Sequence, residues 1–214
     1  MKDKQAINVK LQSYIENEII PQYAFFDKGH NSNHVEKVIK DSLEIALDYK
    51  VEMDMVYAIA AYHDIGMPLG RENHHITSGE ILRNDKRLSH WFNEEQLVIM
   101  QQAIEDHRAS GKNEPRTIYG KIVAEADRDI SMETIIYRSI AFSIDKFPLD
   151  DYSQQLERVY FHIENKYGEN GYLKLWIETP KNTKGLQQLR QLIEDKQAFM
   201  LCFKRIWDSL MINA

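Results

Sequence analysis

Apolar residues recur at three- and four-residue spacing along almost the whole chain, and no stretch alternates long enough to read as a strand series. That period commits the chain to burying helical stripes, so the expected fold class is all-α. The first stripe (Val9, Leu11, Tyr14, Ile15, Ile19, Ile20) is closed by Pro21. Ser32 or Asn33 caps a second helix, with Val35, Val38, Ile39, Leu43, Ile45, Ala46 and Leu47 facing inward. Asp54 caps a third, which runs through Val56, Ile59 and His63 and stops near Gly66. Further helices are expected from about His74 to Asn84, from the cap Asn93 through His107, and from Thr117 to Asp127. Loops separate them at 27–31 and 109–116. The last third predicts helices over Met132–Phe147, Asp151–Tyr167 and Lys184–Leu210, while Gly171 to Ile177 reads equally as a short helix or an extended piece.

At 214 residues the chain is long enough for one enzyme-sized domain. The expected organisation is a single all-helical domain over 1–214, with a core at about 32–130 and additional C-terminal helices at about 131–214. Against 27 Lys and Arg stand 33 Asp and Glu, a formal net charge of −6. That balance repels a polyphosphate backbone, and no basic run offsets it, so long nucleic acid is not an expected partner. A small anion is different, because a bound cation can reverse the field inside one pocket. The lone cysteine, Cys202, sits in Phe199-Met200-Leu201-Cys202-Phe203, reads as a core residue, and fits a reducing compartment. The polar start, Met1-Lys2-Asp3-Lys4-Gln5, has no apolar signal region, and no apolar run approaches the roughly 20 residues that span a bilayer, so a cytoplasmic location with no membrane partner is expected.

The most chemical feature is the doublet His63-Asp64, which ends the apolar run Ala60-Ala61-Tyr62 and precedes Ile65-Gly66. An imidazole and a carboxylate side by side where a helix meets its loop can converge on one divalent ion. The same two residues would also suit a capping aspartate beside an incidental histidine.

His34 opens His34-Val35-Glu36-Lys37-Val38, and Asp127 ends Val123-Ala124-Glu125-Ala126-Asp127. With them the chain resembles the HD-domain superfamily of metal-dependent phosphohydrolases, whose signature is a His, a His-Asp doublet and a distant Asp on separate helices. The likeness covers about Ser32 to Ile130. It implies an HD-domain helical bundle in which His34, His63, Asp64 and Asp127 hold one divalent ion. The donor set, with no thiolate, suits Mn, Fe, Co, Ni, Zn or Mg.

His75 and His107 resemble histidines that complete a second metal site in two-metal relatives, or contact phosphate or move a proton in others. They are therefore candidates for a second ion or for catalysis, as is Glu72 for proton transfer. Many phosphodiesterase members follow the doublet with Gly-Lys. Here Gly66-Met67-Pro68 stands instead, so the phosphate cation would have to come from Arg71 or Arg128. His30 and His74 read as exposed, His90 and His162 as surface residues, and Asp129 as a weaker rival of Asp127. The implied substrate is a nucleotide or other small phosphoester or phosphoanhydride. Two other functions stay open: a two-iron oxygenase of the same fold, and a non-catalytic metal- or nucleotide-binding module. Spare apolar positions in the last helix (Leu201, Phe203, Ile206, Trp207) leave room for a homodimer.

Overall fold

The computed structural model describes residues 6–26, 31–108 and 113–212. Among them there are helices and irregular segments but no strand, so the fold is all-α as the periodicity predicts. None of these helices is long and apolar enough to cross a membrane. The chain divides into two compact units, Met1–Arg128 and Asp129–Ala214, each with its own apolar core.

In the first unit, Asn8 caps helix α1 (Val9–Tyr14) by accepting from the Lys10 and Leu11 amides. Pro21 does not end the helical path. A π-helical turn over Ile15–Ile19 leads into a 3-10 segment, Ile20–Phe25, where proline lies in the first turn and its missing N–H costs nothing. Helix α2 (Ser32–Ala46) starts one residue earlier than expected. Asn31 is its cap, accepting from the His34 amide, and Ser32 and Asn33 lie inside the helix.

Helix α3 (Met53–Tyr62) is the axis of the unit, with every residue from Met55 to Tyr62 buried. Glu52, not Asp54, stands at its cap position. The Asp54 carboxylate instead accepts from the Asn8 amide at 2.8 Å, so it is occupied by the N-terminal arm. Helix α4 (His74–Asn84) follows, then α5 (Glu94–Glu105), which is opened by a reciprocal Asn93–Gln96 capping box. Helix α6 (Ile118–Asp127) is capped by Thr117. The expected loops fall partly on 27–30 and 109–112, and His30 with them, outside the described residues.

The second unit holds α7 (Met132–Lys146), α8 (Tyr152–Tyr167), α9 (Pro180–Glu194) and α10 (Lys196–Ile212). The single helix expected over 184–210 is thus two. Asp195 is the break: its amide completes the last turn of α9 on Gln191, and its carboxylate accepts from the Ala198 amide to open α10. Between α8 and α9, the ambiguous piece from Gly171 to Ile177 is neither helix nor strand, and it inserts Leu173 and Ile177 into the core. Cys202 is partly buried at the edge of that core.

Candidate metal centre

Helix ends of the first unit deliver six imidazoles and carboxylates to one place. His34 is in the first turn of α2, His63 caps the C-terminus of α3, and Asp64 follows it. His74 opens α4, His107 comes just after α5, and Asp127 ends α6. Two groups of three donors each fit a single ion, His34 with His63 and Asp127, and Asp64 with His74 and His107.

Asp64 joins them. Its Oδ2 lies 3.3 Å from His63 Nε2 and 3.6 Å from His34 Nε2. Its Oδ1 lies 3.2 Å from His74 Nε2 and 3.5 Å from His107 Nε2. On the first side, Asp127 Oδ1 sits 3.2 Å from His34 Nε2 and 3.9 Å from His63 Nε2. One carboxylate therefore presents its two oxygens to two different pairs of imidazoles.

The tautomers are set by the backbone. His63 Nδ1 lies 2.8 Å from the Ala60 carbonyl, His74 Nδ1 2.7 Å from that of Arg71, and His107 Nδ1 2.6 Å from that of Ile104. A carbonyl can only accept, so each Nδ1 carries a proton, and in the neutral ring the Nε2 lone pair is the one left for the cluster. Partners of this kind on the far nitrogen orient metal-ligating histidines.

Burial alone would lower the pKa of His34, but the Asp127 and Asp64 carboxylates outweigh it and hold it up at about 9. His63 is also raised, its full burial overcome by Asp64 and Asp127. Asp64 is held well below the usual carboxylate range despite its burial, because His63, His107 and His34 surround it. Asp127 is drawn down to about 2, with His34 overriding its burial. The cluster is thus a place where two carboxylates demand positive charge.

The donors fit a divalent cation. Asp64 is 3% exposed, and its Oδ1 is buried without a hydrogen-bond partner among the described residues. A buried carboxylate oxygen in that state is costly unless a cation meets it. Nitrogen and carboxylate oxygen together suit borderline and hard divalent ions.

The loop after the doublet is fixed against α4. The Gly66 amide donates to Ser78 Oγ at 2.9 Å, and a Cβ on Gly66 would come within 2.7 Å of the Ser78 nitrogen and 2.8 Å of the His74 carbonyl oxygen. Only glycine allows that approach, which brings His74 beside Asp64.

The other sequence candidates lie as follows. His75 is next to the cluster, its ring 5.6 Å from that of His74, with a buried Nδ1 that meets no hydrogen-bond partner among the described residues. It belongs to neither donor group, whereas His74, expected to be exposed, lies 3.2 Å from Asp64 Oδ1. The buried residues of α4 (Ser78, Gly79, Leu82) lie at helical spacing from both histidines, so spacing alone does not distinguish them. Glu72 and Arg71 are exposed in the turn before α4. Arg128 is 7% exposed and paired with Glu125, itself 1% exposed, at 2.8 Å. A guanidinium absent from the sequence candidates, Arg108, is exposed immediately after His107 and donates to the Glu72 carbonyl at 2.8 Å.

A family model described as HD domain matches residues 31–132, which hold all six cluster residues. No curated protein and no solved structure matches the chain.

Proposed function

We propose, from the premise that residues 31–132 of this chain belong to the HD domain family, that the protein is a metal-dependent phosphohydrolase acting on a small phosphoester or phosphoanhydride, with nucleotides as the leading substrate class. Members of that family are generally metal-dependent phosphohydrolases. The observation that carries the reading is Asp64, buried and turned with one oxygen toward His63 and the other toward His74.

His34, His63, Asp64 and Asp127 would hold one ion, and Asp64 with His74 and His107 a second. When bound, the metal would supply Lewis acidity, lowering the pKa of water and offsetting charge on phosphate oxygens. The protein contributes orientation. Backbone carbonyls hold three imidazoles with their lone pairs inward, and Asp64 and Asp127 set the charge of the centre. Arg108 and Arg71, both exposed near the start of α4, are the guanidiniums we assign to the substrate phosphate. Arg128 is less suited, because binding phosphate would mean leaving Glu125. His75, beside the cluster and outside its donor groups, is the proton-transfer candidate, with Glu72 the alternative.

Two donor groups with Asp64 between them, one oxygen toward each, also favour a second reading, a two-iron oxygenase on the same fold. Metal content by elemental analysis, followed by a hydrolysis panel with Mn, Co, Ni, Zn and Mg, separates the two. Phosphate or pyrophosphate release with an exchangeable ion supports the phosphohydrolase. Two tightly held irons with no hydrolysis would transfer the assignment to the oxygenase, and nucleotide binding without turnover would make the protein a binding module.

A further inference from the structure

The N-terminal arm lies outside the family match, yet it reaches the doublet. Three contacts tie it to α3: the Asn8 amide to Asp54 near its start, the Tyr14 hydroxyl to that of Tyr62 at 3.5 Å, both also donating to Asp85 after α4, and the Tyr23 hydroxyl to the main chain at its end. The last bears on the centre directly. Tyr23 is fully buried, its ring packed 4.7 Å from that of Phe26. Its hydroxyl donates to the Ala61 carbonyl at 2.9 Å and accepts from the Asp64 amide at 3.3 Å.

Those two groups lie where α3 stops. The last carbonyls of a helix lose their partners in the chain that follows, and the residues beyond need new ones. Ala61 is in the last turn of α3 and Asp64 is just past its end, so one hydroxyl satisfies a donor and an acceptor on either side of His63. Without it, both would lose that partner, and the main chain of Asp64 could rotate more easily about the bonds that remain, the Ile65 amide on the Tyr62 carbonyl and the Met67 amide on that of Asp64. That rotation matters because Asp64 must aim two oxygens in two directions at once.

We infer that Tyr23 is a positioning residue for the metal centre, its hydroxyl fixing the main chain of Asp64 so that both carboxylate oxygens face their histidines. The arm is then part of the site, although the family match begins after it. The inference rests on reading the cluster as a metal centre, so its test must be able to fail separately.

Tyr23→Phe removes the hydroxyl and keeps the ring. Asn8→Ala weakens the arm at its far end by removing the α1 cap, without touching the doublet. Both full-length variants and the parent are titrated with Mn and Co. Amide hydrogen exchange of Asp64 is followed in the metal-free proteins. Tyr23→Phe should weaken metal binding about tenfold, at the lower end of what outer partners of metal ligands contribute, and should speed exchange of the Asp64 amide. Asn8→Ala should change neither, whatever it does to the melting temperature. Unchanged affinity and exchange in Tyr23→Phe would overturn the inference, as would equal losses in both variants. A parent that binds no metal would overturn the reading of the centre, while the exchange of Asp64 would still decide the role of Tyr23.

Discussion

His34 Nε2 and His63 Nε2 face each other at 3.2 Å, with Asp127 Oδ1 within 3.9 Å of both. Because His63 Nδ1 already carries its proton toward Ala60, two inward lone pairs would repel unless a proton or a cation lies between them. Divalent metal should therefore compete with a proton for this gap and stabilise the fold. Saturating Mn, Co or Zn, at about 100 times Kd, is expected to add about 2.7 kcal/mol, and chelator should reverse it. A melting temperature indifferent to metal and chelator would remove the centre.

The two donor groups predict different losses. His74→Ala should reduce bound metal from two ions per chain to one, whereas His75→Ala should keep both ions and lower turnover. Asp64→Asn, which removes the shared charge, should lose both. Elemental analysis of the three variants checks this, and loss of an ion in His75→Ala would exchange the roles of the neighbouring histidines.

Arg108→Met should raise KM for an anionic substrate about tenfold with kcat little changed, since a charged hydrogen bond contributes about 1.5–3 kcal/mol. Steady-state kinetics on the substrate found by the hydrolysis panel provide the check. Unchanged KM would leave the phosphate to Arg71.

The buried Glu125–Arg128 pair predicts a stability effect with a sign that depends on how it is broken. Arg128→Met alone takes away the guanidinium offsetting a buried carboxylate and should cost about 3–5 kcal/mol. Glu125→Gln combined with Arg128→Met should recover much of that. Denaturant unfolding of the single and double variants measures it, and an additive double variant would contradict it.

Gly66→Ala should destabilise by about 1–3 kcal/mol, because its Cβ would press on the main chain of Ser78 and His74 and neither can swing aside. The same strain should lower the affinity of the ion held through His74. Thermal unfolding with a metal titration reads both, and a variant as stable and as tight-binding as the parent would show that α4 shifts freely.

What could be read from the sequence follows the range of the signal. Capping boxes such as Asn93 with Gln96 are complete within four residues, and the helices they open begin where expected. The start of α2 was less readable because three consecutive residues, Asn31, Ser32 and Asn33, are all good caps, and only the accepted His34 amide chooses among them. Asp195 looked like one more helix residue because a single polar position does not interrupt a stripe. At the centre, the order of His34, His63-Asp64 and Asp127 is a linear pattern, and the structure brings those four together. The distinction between His74 and His75 depends on the Arg71 carbonyl and on the approach of Gly66 to α4, neither of which spacing encodes. Tyr23 is forty-one positions from Asp64 and carries no local mark at all.

Each of the three carbonyls that hold an inward-facing imidazole belongs to the residue three positions earlier in the same helix end or turn. The aim of those ligands is consequently written into single turns of chain and does not wait for distant parts to meet. An incoming ion finds side chains whose rotamer entropy has largely been surrendered during folding, so capture should proceed with little rearrangement, and exchange of one metal for another should leave the surrounding helices where they stand.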